Sequence, residues 1–127
     1  MHKIKGCFIL TLLFMILFMI LFAGYRYRTT YAKTEIMTET SEDNQYTLKI
    51  YMIGEPEWPF GTTHCRLELF KDTKRIIKCP IDIYDDGAIV HEDNFDIKWH
   101  EDNVTVTVSG SEQDENRYIL SFDGTVE

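Results

Sequence analysis

The chain has 127 residues, of which 44% are hydrophobic, and it carries 13 Lys and Arg against 21 Asp and Glu. One folded domain is the most that this length supports, because a domain commonly takes about 100 to 150 residues. A two-domain enzyme is therefore excluded. From residue 41 onward, 8 Lys and Arg stand against 19 Asp and Glu, and this excess of negative charge repels phosphate backbones. No nucleic acid is expected as a partner.

The first element along the chain is an apolar run from Cys7 to Ala23, in which Thr11 is the one polar side chain. As a helix, this run rises about 26 Å, close to the roughly 30 Å hydrocarbon core of a bilayer. We predict a short basic tail over residues 1–6 and a transmembrane signal anchor over residues 7–24 that contacts the lipid bilayer.

The alternative for this run is a cleaved signal peptide. Cleaved signals usually have apolar runs of about 7 to 15 residues and small residues before the cleavage site, whereas Leu21 precedes Phe22 and Ala23 here. A retained anchor is favoured. Basic residues flank both ends of the run almost equally, but the short basic head before the apolar core favours a cytoplasmic N-terminus. The expected location is the cell membrane, single-pass, with the C-terminal domain outside the cytoplasm.

Residues 25–44 are predicted to form a polar stalk. The segment from Gly24 to Gln45 contains five Thr and mixed charges, and Ile36 and Met37 are its only aliphatic side chains larger than Ala. It lacks the apolar periodicity that a buried element needs. A short helix within residues 32–40 is the alternative, although the Thr content lowers helix propensity.

From Tyr46 onward, apolar and polar side chains alternate, as in strands with one buried face. Turn sequences separate these segments at the spacing of an antiparallel meander. The predicted strands cover residues 46–53, 64–69, 76–84, 95–99, 104–108 and 118–122, and Pro80 predicts an edge strand or a bulge. The fold class is all-β: a small antiparallel sandwich or open barrel of immunoglobulin-like scale, with six or seven strands, as an acidic domain over residues 45–127.

This arrangement resembles a loose class of uncharacterised single-span, membrane-anchored proteins of Gram-positive bacteria. The resemblance lies in the apolar anchor and stalk, then a segment like Ser41–Tyr51, an aromatic loop like Glu55–Gly61 and several short strands. It covers most of the chain through weak motifs. The resemblance implies a location and a fold, and it implies no activity.

Two of the three cysteines, Cys65 and Cys79, lie on the predicted second and third strands around a turn at Asp72. In the simplest register they face each other directly, within reach of a disulfide that an oxidising exterior would favour. The alternative is a pair of reduced core cysteines, since a register shift of one residue or a bulge at Pro80 would separate them.

The loop from Gly54 to Gly61 is the most distinctive segment, because two prolines and two glycines constrain it around Trp58 and Phe60. Rigid aromatic side chains on a connection give a binding loop large contact area at low entropic cost. We assign Trp58 and Phe60 as candidate binding residues. The alternatives are that both rings cap the open end of the sheet, or that they dip into the outer leaflet, which Glu55 and Glu57 oppose.

No catalytic, metal or cofactor site is predicted. The sequence His-Glu-Asp-Asn occurs at His91 and again at His100, but an extended strand separates the copies by roughly 30 Å. Each copy alone has too few ligands for zinc and fits a turn. The acidic residues after Asp82 do not follow a calcium loop. No nucleophile motif or phosphate loop is present.

These observations together predict a membrane-anchored β domain outside the cytoplasm that serves as a binding or accessory module of the cell envelope. Its expected partner is another membrane or envelope protein. One alternative is a small ion-binding or hydrolytic domain that uses its carboxylates and histidines. Another is an immunity-type protein that binds a basic toxin through its acidic face.

Overall fold

A computed structural model describes residues 2–57 and 59–127, with side chains from residue 6 onward. A long helix, α1, precedes seven strands and one turn of 3-10 helix at Glu92–Asn94. The helix and strands are α1 His2–Tyr31, β1 Lys33–Thr40, β2 Tyr46–Ile53, β3 Thr63–Lys71, β4 Lys74–Ile83, β5 Phe95–Trp99, β6 Asn103–Gly110 and β7 Gln113–Ser121. The predicted all-β fold after an N-terminal helix is confirmed.

Helix α1 is apolar around its whole circumference, and its described side chains lie almost entirely free of the rest of the chain. From Gly6 to Tyr31 it is long and apolar enough to cross a membrane. The helix runs seven residues beyond the end of the predicted anchor at Gly24, and this extension carries exposed aromatic rings at Tyr25, Tyr27 and Tyr31.

The polar stalk predicted over residues 25–44 is wrong. Helix α1 continues to Tyr31, and after Ala32 the chain enters β1, which pairs antiparallel with β2. A β-bulge between Glu35 and Met37 interrupts the alternation of sides. Ile36 and Met37, although adjacent, therefore both pack against the core. The β domain begins at Lys33 rather than at residue 45. With β1 added to the six strands located from the sequence, the domain has seven strands.

The seven strands form two antiparallel sheets, one with the order β1-β2-β3-β4 and one with the order β5-β6-β7. Each sheet is a meander of consecutive strands, and residues 84–94 carry the chain from the first sheet to the second. The prediction that Pro80 marks an edge strand is confirmed, because β4 is the edge of its sheet. Pro80 lies opposite Arg66 without a bulge, and the bulge of this strand pair falls between Leu69 and Phe70.

One hydrophobic core lies between the sheets, and both sheets contribute to it. Burial of the aliphatic side chains in this core is the main source of stability for a domain of this size. Its fully buried members include Leu48, Ile50, Leu67, Leu69 and Ile83 from the first sheet and Val104, Val106, Val108 and Leu120 from the second. Where β2 begins and β7 ends, the ring of Tyr46 stacks on that of Phe122 at a centroid distance of 3.8 Å.

The two ends of the β domain differ in their relation to α1. Because β1 leaves α1 at Lys33, and Lys33 pairs with Ile53, the β2–β3 loop lies beside the helix. Thr63 pairs with Ile83, so the β4–β5 connection starts at the same end. We call this the helix end, and it carries residues 54–62, 84–94 and 111–112. The opposite end is called the far end, and it carries residues 41–45, 72–73 and 100–102.

Candidate functional site

The β2–β3 loop is joined to the end of α1 by backbone hydrogen bonds. The amide of Gly54 donates to the carbonyl of Ala32 at 2.7 Å, and the amide of Glu55 donates to the carbonyl of Thr29 at 2.9 Å. Thr29 lies in the last turn of the helix, where the carbonyl groups have no partner within the helix, and Ala32 follows the helix directly. The loop therefore acts as a C-terminal cap for α1 and fixes the direction in which the helix leaves the domain.

Gly54 is required at this junction for two reasons. Its φ angle of +72° lies in the left-handed region, which side chains disfavour. A Cβ atom at this position would also collide with the carbonyl oxygen of Thr29. The close approach of the loop to the helix thus depends on the glycine that follows β2.

Charged side chains support the same junction. The guanidinium Nε of Arg28 lies 4.0 Å from a carboxylate oxygen of Glu55. Both side chains are exposed, so this ion pair contributes little to stability. Further along the loop, Glu57 lines an open cleft together with Tyr25, Arg26 and His64. The backbone of the loop thus lies beside the last turn of the helix, and Glu57 faces the same cleft as Tyr25.

Phe60 lies near the tip of this loop and is 72% exposed. The cap alternative is therefore wrong for Phe60, because its ring does not fold back onto the core. The loop is closed below it by a hydrogen bond from the amide of Gly61 to the carbonyl of Glu57 at 2.6 Å. Trp58, the other candidate binding residue, lies outside the described residues.

His64 and Asp82 form a hydrogen-bonded pair at the helix end. They are direct cross-strand neighbours on β3 and β4, and Nδ1 of His64 lies 2.6 Å from Oδ1 of Asp82. Nε2 of His64 lies 3.4 Å from a carboxylate oxygen of Glu57 in the loop. The hydrogen bond to Asp82 raises the pKa of His64 above its ordinary value, and the contact with Glu57 acts in the same direction. When protonated, His64 can donate to both Asp82 and Glu57 and so connect the loop to β3 and β4.

A groove runs along the first half of β1, which is an edge strand. Its apolar surface comes from β1, β2 and the β4–β5 connection, and its rim is acidic. The apolar lining residues are Ile36, Met52, Ile89 and Val90, and the acidic ones are Glu35, Glu92 and Asp93. An edge strand leaves one side of its backbone free to pair with another chain. This groove, with the open edge of β1 beside it, is the candidate binding site.

The outer face of the first sheet carries a charged cluster around Glu68. Glu68 is 1% exposed, and Nζ of Lys33 lies 3.1 Å from both of its carboxylate oxygens. The guanidinium groups of Arg75 and Arg66 approach to 3.3 and 3.6 Å. Burial alone would raise the pKa of Glu68, but its contacts with Lys33, Arg75 and Arg66 outweigh this effect and lower it. The cluster gives an acidic protein a locally cationic face.

The register predicted for the two domain cysteines is wrong. Cys65 lies opposite Ile81, and Cys79 lies opposite Leu67. The turn that pairs Lys71 with Lys74 shifts the predicted pairing of β3 and β4 by one residue, and the bulge near Leu69 shifts it by a second. Both cysteines are free thiols in the structure, with Cys65 buried and Cys79 partly buried. Burial raises the pKa of Cys65 to about 12. Such a thiol is a poor nucleophile at neutral pH.

The two His-Glu-Asp-Asn copies form turns, as predicted. The first copy forms the 3-10 turn, where the amide of His91 donates to the side chain of Asn94 at 2.8 Å. The second copy joins β5 to β6, with the amide of His100 donating to the carbonyl of Asn103 at 2.8 Å. Among the described residues, no group of three or more His, Cys, Asp and Glu side chains could hold a metal ion.

Sequence reasoning missed the junction, the groove and the Glu68 cluster. Each depends on β1, which the sequence pattern did not indicate. The β-branched residues Thr34, Thr38 and Thr40 were a usable signal for this strand, since threonine favours strands. Lys33 offered no signal of its own, because its contact with Glu68 joins residues that are 35 positions apart.

Comparison with known proteins gives no significant match, either to a protein-family model, to a curated protein or to a solved structure.

Proposed function

We propose that the chain is a single-pass membrane protein whose β domain serves outside the cytoplasm as a binding or accessory module of the cell envelope. The observation that carries this proposal is the junction between α1 and the domain. The apolar helix runs directly into β1, and the amide of Gly54 caps it through Ala32. A helix that crosses the bilayer would hold the domain against the membrane surface.

The partner in this proposal is an extended segment of another membrane or envelope protein, bound in the groove beside β1. Pairing with the free edge of β1 supplies backbone hydrogen bonds, and the groove accepts apolar side chains. The acidic rim at Glu35, Glu92 and Asp93 favours a segment with basic residues. The groove lies at the helix end, so a partner anchored in the same membrane reaches it without a long connection.

Accessibility in intact cells tests the location. Ser111 is exposed in the β6–β7 turn at the helix end, and Ser111→Cys offers a thiol there. Cys65 is buried and serves as the internal control. If the domain lies outside the cytoplasm, a membrane-impermeant maleimide labels position 111 in intact cells. Labelling that requires cell lysis would refute the proposed location.

Site-specific photocrosslinking tests the groove. A photoreactive amino acid at Thr34, an exposed position on β1, should give one discrete adduct with a membrane or envelope protein. The matched control is the same probe at Glu115, an exposed position on β7, the edge of the other sheet. Ile89→Asp should abolish the adduct, whereas Val126→Asp at another exposed apolar position should not. Equal adducts at both probe positions would refute the groove as the binding site.

A further inference from the structure

The exposed apolar side chains of the β domain are concentrated at the helix end. Among the described residues after α1, the large hydrophobic side chains that remain exposed are Phe60, Tyr84, Ile89 and Val126. Three of these four lie in the β2–β3 loop and the β4–β5 connection, beside the helix. Single exposed apolar residues are ordinary, but a set gathered at one end marks a contact surface.

The loop that carries Phe60 lies beside the last turn of the helix. Its backbone contacts start at Ala32 and reach Thr29, and Glu57 lines a cleft with Tyr25. The apolar run ends at Ala23. At about 1.5 Å per residue, the six positions from Thr29 to Ala23 correspond to roughly 9 Å along the helix axis. The loop therefore lies within about 9 Å of the apolar surface of the helix, and the exposed rings of Tyr25 and Tyr27 lie in the interval between them.

The loop is held in place by its neighbours. The β4–β5 connection packs behind it, since a Cβ atom on Gly87 would lie 3.1 Å from the carbonyl oxygen of Pro59 and 3.5 Å from the Cα of Phe60. The hydrogen bond from Gly61 to Glu57 closes its tip. A constrained loop loses little conformational freedom when an aromatic ring makes contact.

Two carboxylates of the loop that carries Phe60 have partners within the protein. Glu55 lies near Arg28, and Glu57 contacts His64. In the neighbouring connection, Asp85 accepts a hydrogen bond from the amide of Ser111 at 2.8 Å. Arg28, and His64 when it is protonated, offset part of the loop charge that would oppose an approach to lipid headgroups. Asp85 keeps its charge, because its hydrogen bonds with Ser111 lower its pKa.

We propose that the β2–β3 loop is a second lipid contact, in which Phe60 enters the interfacial region of the bilayer that α1 crosses. Aromatic side chains favour this region, and the exposed rings of Tyr25 and Tyr27 mark the same level on the helix. The inference rests on the proposed membrane anchoring. Together with α1, the loop gives the domain two contacts with the bilayer and so fixes its orientation.

Fluorescence quenching by brominated phosphatidylcholine tests this contact in the full chain, reconstituted in vesicles. The background variant is Trp58→Phe, which leaves Trp99 near the far end as the sole tryptophan. Phe60→Trp in this background places a reporter in the loop. Phe18→Trp, in the middle of α1, places a matched reporter in the helix. The emission of each reporter is read against that of the background variant.

The expected result is a loss of emission from the reporters at positions 18 and 60, with Trp99 unaffected. Quenching at position 18 with none at position 60 beyond the background would overturn the loop contact alone and leave the anchor intact. Absence of quenching at position 18 would overturn the proposed anchoring, and the loop contact with it. A reporter at position 60 that is shielded by a protein partner would also escape quenching, and this result counts against the lipid contact.

Discussion

Replacing Glu68 by Gln should destabilise the β domain more than any other single change of charge on the first sheet. The carboxylate is 1% exposed and accepts hydrogen bonds from Lys33 at 3.1 Å and from Arg75 at 3.3 Å, with Arg66 at 3.6 Å. Glutamine keeps the shape of the side chain and removes its charge. Three cations would then surround a neutral amide and repel one another.

The size of the effect follows from burial. Breaking a fully buried ion pair costs about 3 to 5 kcal/mol, and a hydrogen bond to a charged group contributes about 1.5 to 3 kcal/mol. The side chains of Lys33, Arg66 and Arg75 are 37%, 26% and 46% exposed, so water can rehydrate them in the variant. We therefore expect the free energy of unfolding to fall by about 2 kcal/mol.

Urea unfolding of the full chain in detergent, carried out in the Trp58→Phe background and followed by the fluorescence of Trp99, measures this loss. Glu35→Gln is the matched control, because Glu35 lies on the same sheet face but is half-exposed, 3.9 Å from Lys49. An exposed pair of this kind contributes less than about 1 kcal/mol. Equal losses in the two variants would refute the argument that burial makes Glu68 special.

The same pair of proteins makes a pH prediction. The pKa of Glu68 is lowered in the folded state from its ordinary value of 4.5, so the contribution of Glu68 is fully present above that value. This contribution is lost as the pH falls through the pKa of Glu68 in the folded state, because the carboxylate binds a proton more tightly in the unfolded chain than in the folded one. The stability difference between wild type and Glu68→Gln should therefore shrink below pH 4.5. A constant difference into strong acid would contradict it.

Three further predictions concern single side chains. Leu67→Ala opens a cavity at a fully buried position and should lower the free energy of unfolding by about 2 to 5 kcal/mol in the same urea assay; a smaller loss would mean that the core there is loosely packed. Asp82→Asn should lower the pKa of His64 toward 6.5 in an NMR titration, because Asp82 is the main cause of its rise; an unchanged pKa would place the pair apart in solution. Cys65 should react with maleimide only after unfolding, because it is buried and burial raises its pKa to about 12; labelling of Cys65 in the native protein, located by peptide mass analysis, would contradict its burial.

The sequence was sufficient for elements with regular alternation. Strands β2 and β5 have the predicted bounds, since every second side chain from Tyr46 and from Phe95 faces the core. It failed for β1, where a bulge turns Ile36 and Met37 to the same side. A search for alternating apolar and polar residues does not detect a strand whose apolar residues are adjacent.

Strand register was harder to predict than strand position. The segments around Cys65 and Cys79 were both recognised as strands, but the turn after Lys71 and one extra residue near Ile76 each displace their pairing by one residue. A bulge depends on twist and packing across the whole sheet, so its position is not written in the local sequence. The predicted disulfide depended on that register.

The candidate site was only partly predictable. The composition of the β2–β3 loop drew attention to Phe60, whose exposure agrees with a binding residue. Its position beside α1 depends on the contact of Gly54 with Ala32, which joins segments whose proximity only the folded chain reveals. The groove was harder to predict, because it combines Ile36 of β1 with Ile89 of the β4–β5 connection, which are distant in the sequence.

The very short connection between α1 and β1 limits the volume in which the domain can contact other molecules. A flexible tether would let a binding head sweep a large volume and raise the local concentration of distant ligands. Here a single residue, Ala32, separates helix from strand, and strands of 8 to 10 residues extend about 27 to 34 Å. In a bilayer, such a protein samples only a thin layer above its own membrane. If the domain is anchored as proposed, it would meet a partner by lateral diffusion, so the crowding and composition of the membrane would determine how often the groove is occupied.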